Sequence, residues 1–174
     1  MKRRTLIVSI LLHALLLAAV YVFQSMIFPY IRLNGLVPLL IPIVSTGVAV
    51  YEGRYIGGIF GLFSGILCDV SFNEPAAMFT VLLPICGLLV GALADAVITR
   101  GFATYFICCT AVLIVSVLVQ MFPLAYFEDV LIRSMIGTAL WQTVYSLLFV
   151  LPIWFFVRAL GKRAQRVSPS GRPL

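Results

Sequence analysis

The side chains of this 174-residue chain best suited to acid–base, metal or covalent chemistry are six acids, one histidine and four cysteines. Hydrolytic acid–base catalysis needs two titratable groups that converge on one reacting atom. Only Asp69 and Asp95 lie within long apolar stretches, near opposite ends of two consecutive ones. The spacing therefore predicts two separate polar anchors at helix ends, with Asp95 in reach of Arg100 or Arg54, and no dyad. His13 sits in an uncharged run with no nearby acid in sequence, and reads as a packed or helix-bonded residue. Cys68, Cys86, Cys108 and Cys109 show no CxxC spacing and all lie in apolar runs. They read as small core hydrophobes, not as a metal site or a disulfide framework. P-loop, nucleophile-elbow and dinucleotide patterns are also missing, so the chain reads as a protein that is not an enzyme and has no cofactor.

The elements that must position these residues follow from composition. The chain is 63% hydrophobic and 10% charged, with a mean hydropathy of +1.15. Soluble domains average about 45–50% apolar and about 25% charged residues. So much apolar surface has no aqueous solution at this size, and a bilayer-embedded all-α protein is the class that remains. Charges punctuate six apolar runs, predicting one six-helix domain over residues 1–160 with spans at about 5–28, 33–51, 55–72, 76–98, 102–122 and 134–158. Residues 161–174 form a basic tail. The second run holds Pro38, Pro42 and Gly47 and predicts a kinked or partly buried helix. The first run is too long for a signal peptide and reads as a retained helix. After Pro123, the spacing of Leu124, Phe127 and Leu131 fits a short interfacial helix, with a plain solvated loop as the alternative.

Six crossings place ten of the 12 Lys/Arg on one side, leaving Arg32 and Arg133 opposite. By the positive-inside rule both termini are then cytoplasmic. The +6 net charge so points to the inner leaflet and not to nucleic acid, with the tail RALGKRAQR on anionic headgroups.

Small residues recur every four positions at Gly57, Gly61, Gly65 and Asp69, and again at Gly87, Gly91 and Asp95. Each set falls on one helix face, and small faces let transmembrane helices approach closely. The two stripes predict a tight antiparallel pair and a packing or partner interface.

The stretch YEGRYIGGIFGLFSGILCD resembles the MreD family of bacterial rod shape-determining membrane proteins. That family carries a turn, here Glu52-Gly53-Arg54, followed by G-x3-G-φ-x2-G-φ-φ-x-D, where φ is an apolar residue. The matching residues are Gly57, Gly61, Leu62, Gly65, Ile66, Leu67 and Asp69. Leu140-Trp141, Pro152, Trp154–Phe156 and the basic tail are similar to the family's ending. After the aspartate, Ser71 to Ala76 depart from the Gly-Ser-x-x-Gly-like turn common in the family. The resemblance implies a non-enzymatic scaffold of the cell-elongation complex in the inner membrane. Its partners would be an MreC-like bitopic protein, the MreB filament and wall-synthesis enzymes. It also implies the six-helix fold of vitamin-binding S-components of energy-coupling-factor transporters, and hence an alternative function as a vitamin-binding subunit. Ala14 and Ala18 would then give the first helix the small face that such subunits present to a partner. Asn34, Asn73, Gln120 and Gln142 would be a sparse set of ligand contacts.

Overall fold

The computed structural model describes residues 2–26, 30, 37–72, 77–96, 101–127 and 132–166, with the backbone alone described at 2–6, 72, 121–127, 132–136 and 161–166. Among the described residues every regular element is an α-helix. These are α1 (Lys2–Met26), α2 (Leu40–Glu52), α3 (Arg54–Phe72), α4 (Met78–Ala96), α5 (Phe102–Phe127), α6 (Ile132–Leu148) and α7 (Val150–Arg166).

The centre of the molecule is α2. Its residues from Leu40 to Val50 are all buried, against α1, α3, α4, α5 and α7. A helix apolar on every side is stable only in such a position. Its start is set by two prolines. Pro38 disfavours helix at Val37, and Pro42 stands in the first turn, where its missing N–H costs nothing. The helix is thus 13 residues long, about 20 Å, shorter than the expected span of 33–51. Gly53, with φ +91°, is the single residue between α2 and α3. Its left-handed backbone lets the chain reverse there at no steric cost.

Among the described residues, three helices are long and apolar enough to cross a bilayer, in α1 (Ile7–Met26), α4 (Met78–Ala96) and α5 (Phe102–Gln120). A fourth crossing is available from α6 and α7, which are bent by 42° at Phe149. The expected single span at 134–158 is broken there because Pro152 cannot donate to Leu148. Phe149 N–H instead donates to Ser146 O at 3.1 Å, tightening the last turn of α6. The predicted separate helix after Pro123 is also corrected. The backbone of α5 continues through Pro123 to Phe127, and 128–131 lie outside the described residues. The outer surface is broadly apolar, with Leu15, Leu89 and Leu148 each about two-thirds exposed. Lipid is the solvent that tolerates such a surface.

Candidate functional site: the glycine interface and the polar clamps

The two glycine stripes meet. α3 and α4 are antiparallel, and an added Cβ on any of five glycines would strike the facing backbone. At Gly61 it would fall on the carbonyl oxygen of Leu83 and come within 2.8 Å of Pro84 Cα. At Gly65 it would meet the Phe79 carbonyl oxygen and approach Thr80 Cα to 2.6 Å. Gly87 and Gly91 stand likewise against Gly57 and Arg54, with Gly57 C at 2.8 Å and Arg54 N at 2.6 Å. Gly57 faces α2 as well, its added Cβ lying 2.6 Å from Ala49 Cβ. Close backbone approach maximises dispersion contact, the main packing force where lipid supplies no hydrophobic drive.

Each aspartate closes one end of this pair. Asp69, late in α3, accepts from Phe79 N–H at 3.0 Å, Thr80 N–H at 2.8 Å and Thr80 Oγ1–H at 2.5 Å. It therefore caps the N-terminus of α4, whose first N–H groups have no intrahelical partner and whose dipole favours a negative charge. Asp95, late in α4, lies at the opposite end, where an added Cβ on Gly53 would be 3.6 Å from both carboxylate oxygens. That places it beside the start of α3. The two acids stand about 22 Å apart by helix rise, as the sequence predicts. Arg54 donates to Tyr55 OH at 2.7 Å and lies 4.6 Å over that ring. Arg100 lies outside the described residues.

We expect Asp69→Ala to destabilise the protein by about 2–3 kcal/mol, since charge-assisted bonds are worth about 1.5–3 kcal/mol each and part is regained elsewhere. Asp69→Asn, which keeps an acceptor, should lose less. Thermal unfolding of the purified variants in one detergent checks both.

The ends of α2 hold two further polar groupings, on residues too far apart in sequence to form a local motif. At its N-terminus Gln24 Oε1 accepts from Leu40 N–H at 2.9 Å and Ile41 N–H at 3.2 Å. Ser146 Oγ accepts from Leu39 N–H at 3.0 Å and donates to Gln142 O at 2.7 Å. Gln142 Nε2 donates to Val37 O and to Gln120 Oε1, at 3.0 and 3.1 Å. Side chains from α1 and α6 thus replace the local cap that Leu39 cannot provide. Asn34 and Asn73, expected beside Gln120 and Gln142, lie outside the described residues.

At the C-terminal end of α2, Glu52 reaches α1, where Ser9 Oγ–H donates to Glu52 Oε1. His13 Nδ1 lies 3.8 Å from the same oxygen and 2.8 Å from Ser9 O. The ring of Phe60 stands edge-on at 6.4 Å. His13 is helix-bonded and buried as expected, and the fold brings beside it an acid that is not near it in sequence. Glu52 comes from another helix, 39 positions away. The trio is not a nucleophile relay, because Ser9 and Glu52 both lie at Nδ1, whereas such a relay places them at opposite ring nitrogens.

Around the same end of α2, Trp154 Nε1–H donates to Tyr51 OH at 3.0 Å. Phe102 packs edge-on against Trp154 at 5.0 Å, and Arg158 lies 4.8 Å over its ring. The four cysteines are free, with Cys86 half-buried and the others buried. No cluster of three or more metal-ligating side chains occurs among the described residues. An apolar crevice of about 390 Å³ separates α1 from α3, lined by Ala14, Ala18, Phe60 and Phe63 among others. Comparison with protein families, curated proteins and solved structures finds no match to this chain.

Proposed function

We propose that this chain is a non-enzymatic, MreD-like membrane scaffold of the bacterial cell-elongation complex, holding partner helices against a rigid glycine-packed pair. The observation that carries the reading is the use made of the resemblance motif. Gly57, Gly61 and Gly65 are taken up by backbone contact with α4 and α2, and Asp69 by capping α4. The three glycines and the aspartate of the motif all serve packing, while its Leu62 and Ile66 stand exposed on the apolar surface, an arrangement suited to an assembly platform. In this reading the chain crosses the inner membrane six times, with the 13-residue α2 as the shortest crossing and both termini cytoplasmic. The gathering of Arg54, Arg158 and the Trp154 cluster at one end of α2 agrees with that orientation. The partners are an MreC-like bitopic protein, the MreB filament and wall-synthesis enzymes.

A second reading, a vitamin-binding subunit like the S-components, rests on the Gln24–Gln120–Gln142 grouping. There Gln24 Nε2 and Gln142 Oε1 are buried without a hydrogen-bond partner and could receive a polar ligand. Depletion in the native host separates the two. The scaffold reading predicts loss of rod shape with vitamin uptake unchanged. Reduced uptake of one vitamin with normal shape would replace it with the second.

A further inference from the structure

The start of α2 is held by two amides whose orientation is fixed by their partners. Gln24 Oε1 accepts from Leu40 N–H and Ile41 N–H, so Nε2 is the end that carries two hydrogens. Gln142 Nε2 donates to the Val37 carbonyl, which can only accept, so Oε1 is the end that carries lone pairs. The other half of each amide is unspent. Gln24 Nε2 and Gln142 Oε1 are buried with no hydrogen-bond partner among the described residues, in side chains belonging to residues 3% and 2% exposed. Ser116 Oγ on α5 is a third such atom, one helical turn from Gln120, which accepts from Gln142. A spare donor on α1 and a spare acceptor on α6 thus belong to amides that grip the same short segment, residues 37–41.

We propose that this end of α2 is an internal water site, where bound water accepts from Gln24 Nε2 and donates to Gln142 Oε1 and so ties α1 to α6. Buried polar groups are paired in the great majority of cases, and each one left unpaired costs about 1–3 kcal/mol. Water serves a donor and an acceptor through one atom, and a buried water makes about three hydrogen bonds. Ordered water is also one of the groups that satisfies irregular helix geometry within a bilayer.

The chemistry selects a small neutral occupant. The unspent groups carry no charge, and Asp69 is taken up by the cap of α4. Glu52, Asp95 and Arg158 gather at the opposite end of α2, at Ser9, Gly53 and Trp154 respectively. An ion would therefore find no counter-charge beside Gln24 among these residues. The site is independent of the scaffold reading, and it takes up the two atoms on which the vitamin-binding alternative rests.

The chain's glutamines are Gln24, Gln120, Gln142 and Gln165, so solid-state NMR of the ¹³C,¹⁵N-labelled full chain in phosphatidylcholine bilayers has four side-chain amides to resolve. Proximity to the Leu40 and Ile41 amides identifies that of Gln24. Magnetisation transfer from water protons should reach the Gln24 side-chain amide and be absent at Val44 N–H, which is equally buried within α2. Gln142→Leu should lose that transfer, and Gln142→Glu, which keeps an acceptor, should retain it. No transfer to Gln24, equal transfer to Val44, transfer unmoved by Gln142→Leu, or an organic molecule in place of water against the Gln24 amide would each overturn the proposal. The last result would also favour the vitamin-binding reading, whereas water transfer in a chain without elongation partners would remove the scaffold reading and leave the water site standing. The comparison of Gln24 with Val44 uses the natural chain and decides the matter even if a variant does not fold.

Discussion

Replacing Gly65 with leucine is expected to abolish the folded protein. The added Cβ alone would meet the Phe79 carbonyl oxygen and lie 2.6 Å from Thr80 Cα. These are backbone atoms that no rotamer change can move aside. Over-packing an ordinary core costs about 1–3 kcal/mol, and here α3 and α4 must separate to accommodate it. Separation also withdraws Phe79 and Thr80 from Asp69, one turn further along α3. The combined loss, about 4 kcal/mol or more by these contributions, is a large share of the roughly 5–15 kcal/mol by which native domains are stable. Gly137→Leu is the control, since an added Cβ there meets nothing within 4 Å. Size-exclusion profiles and thermal unfolding in one detergent should show Gly65→Leu aggregated or unfolded and Gly137→Leu near the parent. A folded Gly65→Leu of parental stability would contradict the close contact.

The second large effect is expected at Gln24. Leucine at this position keeps the bulk but leaves Leu40 N–H and Ile41 N–H without an acceptor at a buried helix start. Each orphaned buried donor costs about 1–3 kcal/mol, so Gln24→Leu should lose about 2–6 kcal/mol. Gln24→Glu keeps the acceptor and places negative charge at the positive end of the α2 dipole, so it should lose much less. A stability ranking of Gln24, then Glu, then Leu in thermal unfolding supports the clamp. Equal stability of Leu and Glu variants would remove it.

Much of this architecture was legible because it is local. The four-residue spacing of Gly57, Gly61 and Gly65, matched by Gly87 and Gly91, is a property of single helices, and it predicted the antiparallel pair that forms. Asp69 as a helix-end anchor was readable for the same reason. Pro38 and Pro42 announced a disturbed second segment, but not that the helix Leu40–Glu52 would occupy the centre of the fold. Pro152 carried the signal for the break between α6 and α7, masked by the apolar run on both sides. The clamps were out of reach. Gln24 meets Leu40, Glu52 meets Ser9 and His13, and Ser146 meets Leu39 only once α2 lies among its neighbours. No periodicity in one helix encodes a hydrogen bond to the end of another.

The proposed scaffold would use its glycine-packed core to present helices to partners. The most direct test is purification of the full chain from its native host in mild detergent, with mass spectrometry of co-purifying proteins and small molecules. The account predicts a bitopic MreC-like protein with wall-elongation enzymes, their recovery lost in Gly65→Leu and retained in Gly137→Leu, and no stoichiometric small molecule. A bound vitamin together with an ATPase-linked membrane partner would contradict it.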